Sequence, residues 1–340
     1  MKVQNLIAFL SMIFLTISCT MGEDIINDAT NEIPTESEQE IILSVELGQN
    51  DIETKSTVSN DNDKDATKNE AKINNCVVAL LDGNKVIGMK VIDTYSVSEN
   101  ISILAKAKSG QKLIAVVNAD NNAFKSCETL EDFDRILLTT DPNGNLVKYG
   151  ITDLKISSNS SSTTSIPTLN VKIDVKQVAA RIDLQEVKVN YVGTGDKPKV
   201  TLKNALIFNV KKHSYLWSEG GSTASDFTSV QKNNINSILP VTNGATFYVY
   251  QNTSAENKTT MTLTFGVDGA NDQSMTFTMK TPKNNNTTPN TNYTETIKQG
   301  TLYRLYVTVN VDTQTSKINA TLDYEVTDWA QKTVDIPSFK

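Results

Sequence analysis

One histidine and three cysteines are the whole stock of imidazole and thiol groups in this 340-residue sequence, so their neighbours decide what chemistry is open to them. His213 stands beside Lys211 and Lys212, near Tyr215 and Trp217. A general base needs a proton-accepting nitrogen aimed by a carboxylate or carbonyl; a cationic, aromatic setting suits a packing or surface residue instead. No serine sits in a nucleophile-elbow pattern, and no glycine-rich run is placed to cradle a phosphate. Asp61-Asn62-Asp63-Lys64-Asp65 sets acids at alternate positions, like the opening of a calcium loop. It lacks the glycine and the closing glutamate that complete such a ligand shell. No catalytic residue, metal site or cofactor is expected, and the chain reads as a protein that is not an enzyme.

The remaining candidate chemistry is covalent modification. Lys2 precedes an apolar run from Leu6 to Ile17, broken only by Ser11 and Thr16. That run is too short to span a bilayer as a helix and has the form of a signal-peptide core, giving a signal peptide over 1–18. The stretch Leu15-Thr16-Ile17-Ser18-Cys19 is similar to a bacterial lipobox, with Thr16 where leucine is usual, and makes Cys19 a candidate lipidation site. Acyl chains on Cys19 would anchor the chain to a membrane leaflet. Cys76 and Cys127 remain. An oxidising export route allows a disulfide between them, and two buried thiols is the equal alternative.

The elements that would carry these residues are almost all strands. Residues 19–40 read as a flexible tether, acidic and without periodicity. Ile41, Leu43, Val45 and Leu47 then alternate in a single strand signal. The chain turns polar again from Gly48 to Lys72, so this strand must pair with something distant. Strands follow at Cys76–Leu81, Lys85–Val91, Ile101–Ala105 and Leu113–Asn118, and a helix is expected over 122–138. A long alternating run covers Leu169–Tyr191. The later strands are Lys199–Val210, Thr246–Gln251, Thr259–Val267, Ser274–Met279, Leu302–Val311 and Ile318–Val326. Strands at this spacing, without intervening helical periods, point to an all-β fold of two sandwiches, over 41–176 and 177–340. The net charge of -7 excludes the concentrated basic surface that nucleic acid requires.

Five segments together resemble the fimbrillin family, the protease-activated pilins of the type V class: Lys112–Ala119, Val178–Leu184, Thr246–Asn252, Tyr303–Val309 and Tyr324–Trp329. The resemblance implies two transthyretin-like β-sandwich domains, with a short helix in the first, and a cell-surface subunit exported to the outer membrane as a lipoprotein. It also implies a mechanism. The first strand, here Ile41, Leu43, Val45 and Leu47, is cut away after a basic residue, and a carboxy-terminal strand of the next subunit takes its place. The matching basic residue is Lys55, where family members cut by an arginine-specific protease carry arginine. The incoming strand corresponds to Val334, Ile336 and Phe339, although Phe339 breaks the two-residue step and Pro337 fits only at an unpaired position. Other fimbrial subunits and a processing protease would be the partners. The alternative is a surface adhesin or carbohydrate-binding lipoprotein that never polymerises, with Tyr215, Trp217 and Tyr248 lining a ligand platform.

Overall fold

Alternation of apolar and polar residues governs the chain, and the structure, a computed structural model, follows it. It describes residues 39–49, 70, 72–95, 101–156, 166, 168–217, 226–282 and 293–329. The first sheet has seven strands: β1 (Gln39–Gln49), β2 (Cys76–Asp82), β3 (Lys85–Ile92), β4 (Ile101–Ala107), β5 (Lys112–Val117), β6 (Lys148–Asp153) and β7 (Thr168–Gln177). Their order is β3-β2-β5-β6-β7-β1-β4. β6 and β7 share only the pairs Lys148 with Gln177 and Tyr149 with Lys176, so the sheet folds over at that point and encloses a core. A Cβ on Gly150 would run into the Asp174 carbonyl; glycine is what lets β6 and β7 come this close.

β2 and β5 read as unbroken apolar runs because both their faces are covered. Cys76, Val78, Leu80, Leu113, Ala115 and Val117 line the core they share with β1. Val77, Ala79, Leu81, Ile114 and Val116 line a second core on the opposite face. The helix expected over 122–138 is two short ones, Asn121–Phe124 and Leu130–Arg135. The Asp120 side chain caps the first. Thr129 starts the second through a capping box with Asp132, which satisfies orphan backbone N–H groups and makes a fresh helix start cheaper than continuation. Phe124, Leu130, Phe133 and Leu137 would share one face of a continuous helix; Phe124 and Phe133 are buried, while Leu137 is exposed.

The remaining strands form two facing layers. One is β12 (Val241–Val249), β8 (Ala180–Val192), β17 (Thr301–Asp312) and β18 (Ile318–Asp328), in that order. The other is β10 (Phe227–Lys232), β9 (Val200–Lys211), β13 (Thr260–Val267) and β14 (Gln273–Thr278), with β11 (Ser237–Ile238) beside β9. A two-stranded ribbon pairs β15 (Thr281–Pro282) with β16 (Tyr293–Thr294). Ile182, Leu184, Phe247, Tyr303 and Leu305 from one layer meet Leu202, Ile207, Met261, Leu263 and Phe265 from the other. The second core of the first sheet continues into this half, since Phe124, Phe133 and Tyr149 cluster with Leu216, Tyr250, Leu302 and Trp329. The architecture is an all-β sandwich fold, with two short helices, Asn121–Phe124 and Leu130–Arg135, among the described residues. No helix among the described residues is long and apolar enough to cross a membrane.

Candidate functional site

β1 is an inserted strand rather than a rim strand. It pairs antiparallel with β4 from Gln39–Ala107 to Val45–Ile101, and parallel with β7 from Ile42–Thr168 to Gln49–Val175. Its alternate side chains Ile41, Leu43, Val45 and Leu47 are all buried, in one core with Val78, Leu80, Ile103, Ile173 and Val175. At about 1.5–3 kcal/mol per buried aliphatic side chain, the four contribute roughly 6–12 kcal/mol. Removing β1 would open a hydrophobic slot and leave backbone donors and acceptors unpaired on both β4 and β7. Cys19, Lys55, Val334, Ile336 and Phe339 lie outside the described residues.

Glu70, in the connection from β1 to β2, joins a buried charge cluster on β8 and β12 that the sequence reading did not single out. Glu70 is almost fully buried. Its Oε1 accepts hydrogen bonds from Arg181 Nη1 at 2.7 Å and from the Tyr248 hydroxyl at 2.8 Å. Arg181 Nε also donates to Asp183 Oδ1 at 2.9 Å, and the Thr246 hydroxyl donates to the same oxygen at 2.8 Å. The alternation of β8 puts Arg181 and Asp183 on one face, and the β8–β12 register sets them opposite Tyr248 and Thr246. Tyr248 in turn stacks on Trp329, with ring centroids 5.8 Å apart.

Burial raises the Glu70 carboxyl pKa, against the pull of the Arg181 guanidinium. Burial works against the Arg181 cation, but the Asp183 and Glu70 carboxylates outweigh it and hold the pKa above the ordinary arginine range. Lys148, at the end of β6, is completely enclosed. Desolvation pushes its pKa down to about 7, with Glu70 pulling the other way. Such an arrangement can hold segments together, since Glu70, Arg181 and Lys148 are all buried. Three of the five family-like segments, Val178–Leu184, Thr246–Asn252 and Tyr324–Trp329, meet here.

Other candidates are not brought together. Cys76 faces the core lined by β1, whereas Cys127 packs in the second core, and no disulfide joins them. The pairing expected as one alternative fails because they occupy different cores, on opposite sides of the β2–β5 layer. Burial, then the Asp132 carboxylate, pushes the Cys127 thiol up to about 11. His213 Nε2 sits 3.4 Å from Asp226, whose other oxygen meets Lys212. Trp217 packs on Tyr149 at 5.7 Å, and Tyr248 is committed to Glu70 and Trp329. Tyr215, Trp217 and Tyr248 are each half-buried. No group of metal-ligating side chains occurs among the described residues.

No family model matches the chain, and no curated protein matches it either. Solved structures do. A fimbrilin from Porphyromonas gingivalis W83 is 13% identical, with 87% of this chain and 98% of that one covered at a TM-score of 0.55. The tip fimbrial protein Mfa3 from Porphyromonas gingivalis, with a C-terminal truncation, is 13% identical, covering 85% and 100% at a TM-score of 0.57. A candidate cell adhesion protein from Parabacteroides distasonis ATCC 8503 is 17% identical, covering 87% and 98% at a TM-score of 0.57. The fold is thus one found in fimbrial proteins. In particular, it extends over nearly the whole length of a fimbrilin.

Proposed function

We propose that this chain belongs to the fimbrillin family and is a structural, non-enzymatic subunit of a cell-surface fimbrium. It is exported as a lipoprotein anchored to the outer membrane through Cys19. Residues 41–176 and 177–340 act as its two domains. Proteolysis after Lys55 frees β1, and a strand of a neighbouring subunit carrying Val334, Ile336 and Phe339 fills the slot. The observation that carries this reading is the placement of β1. It is joined to β2 by the long polar stretch of residues 50–75, yet it is inserted between β4 and β7 with every second side chain in the core. Such a strand can be withdrawn by one cut without breaking any other element. The vacant slot then presents paired hydrogen-bonding edges and alternate apolar pockets, the requirements of β-strand addition.

The test is limited digestion of the purified chain with a lysine-specific protease. Cutting after Lys55 is expected to convert monomer into a ladder that resists SDS, and deleting residues 332–340 should abolish the ladder. Chains that stay monomeric after verified cleavage rule out the polymer.

A further inference from the structure

Emptying the β1 slot poses a stability problem that the buried charge cluster answers; this inference rests on the strand-release reading above. β1 supplies a large part of one core, and its loss is comparable with the whole stability of an ordinary domain. The first sheet would be expected to unravel before any replacement strand arrived. Several ties to the rest of the molecule, however, do not pass through β1. Glu70 lies on the far side of Lys55 from β1 and is bound to Arg181 of β8 and Tyr248 of β12. Two residues on, the Lys72 carbonyl accepts from Asn118 Nδ2 at 2.8 Å and from Lys148 Nζ at 3.4 Å. The Asn74 backbone N–H donates to Asn118 Oδ1 at 2.7 Å. Asn118 follows β5, so Glu70 is bound to the second half while Lys72 and Asn74 are bound at the ends of β5 and β6. None of these partners belongs to β1.

We propose that the Glu70–Arg181 ion pair is a retaining clamp, which holds the segment after β1 on the second half so that β2 and β5 stay folded while the slot is empty. The cut therefore separates a part that leaves, up to Lys55, from a part that is fixed at Glu70. The second half serves as a scaffold for the emptied first sheet. A buried pair suits the task because neutralising Glu70 takes from the Arg181 cation one of its carboxylate partners in a poorly solvated site, leaving it bonded to Asp183. The clamp resists partial opening more than its net contribution to folding would indicate.

The experiment uses the full chain and needs no cleavage. A double variant, Leu43→Asp with Val45→Asp, keeps β1 from seating, and hydrogen exchange is followed strand by strand, with and without Glu70→Gln. With β1 unseated and Glu70 intact, amides of β4 and β7 are expected to lose protection while β2 and β5 keep theirs. Adding Glu70→Gln should accelerate exchange in β2 and β5 by at least tenfold, with the strands of the second half unchanged. Glu70→Gln alone, with β1 seated, should leave β2 and β5 protected, which also shows that the variant folds. Three results would overturn the clamp: loss of β2 and β5 protection in the β1 variant alone, no further effect of Glu70→Gln, or equal loss when β1 is seated. The fimbrial reading is judged separately by the SDS ladder, so a chain that never polymerises leaves this outcome readable.

Discussion

Shortening Leu43 to alanine removes the most enclosed side chain of β1, with Ile103 and Leu169 as its neighbours in register on β4 and β7. Truncating a buried leucine costs about 3 kcal/mol, within a range of roughly 2–5. If β1 can leave while the rest of the chain stays folded, that cost falls on the seated state alone. At about 1.4 kcal/mol per factor of ten, the open population then rises roughly a hundredfold. The readout is native-state hydrogen exchange of the amides in β4 and β7 that bond to β1, because strand departure exposes them without global unfolding. Ile42→Ala is the control. That side chain is on the opposite face and only half-buried, and its loss should shift exchange by less than tenfold. Equal acceleration in β9 and β13 would refute the reasoning, since it would mean that β1 comes out only when the whole molecule unfolds.

Lys148 and Gly150 give two further tests. With its pKa near 7 in the fold and 10.5 as the ordinary value, Lys148 binds its proton more weakly in the folded state than in the unfolded one across that window. Stability should therefore rise with pH, by about 2 kcal/mol between pH 7 and 9. Denaturant midpoints at the two pH values measure this rise; Lys148→Met should flatten it, and an unchanged slope would assign it elsewhere. Gly150→Ala would force β6 from β7 at the Asp174 carbonyl and should cost about 1–3 kcal/mol by overpacking. A midpoint equal to that of the unaltered chain would show that β7 can shift at no cost.

Strands with one reason to alternate were the legible part of the sequence. Ile41 to Leu47, Leu302 to Val311 and Ile318 to Val326 each cover a core with one face, and period two is the direct image of that. Cys76–Leu81 was equally plain as a continuous apolar run, since both its faces are covered. β6 went unread because Lys148 and Gly150 look like loop residues; only the enclosed site of one and the close crossing at the other make them strand residues. The broken helix had a readable sign in Thr129 and Asp132, the spacing of a capping box, hidden by a periodicity that ran through it. Arg181 and Asp183 also left a trace, two opposite charges at strand spacing inside an apolar run. Glu70 left none. One acid in an acidic linker looks like its neighbours until tertiary structure buries it against a cation supplied by a strand far along the chain.

The two neighbours of β1 run in opposite directions, one with it and one against it. A peptide that entered reversed would have to swap the slanted ladder for the perpendicular one on each side and find a new register for its side chains. The seat therefore reads which way a peptide points. Units linked through such seats would all share one heading, and a filament grown from them would have two unlike ends, one carrying an unfilled seat and the other a spare strand.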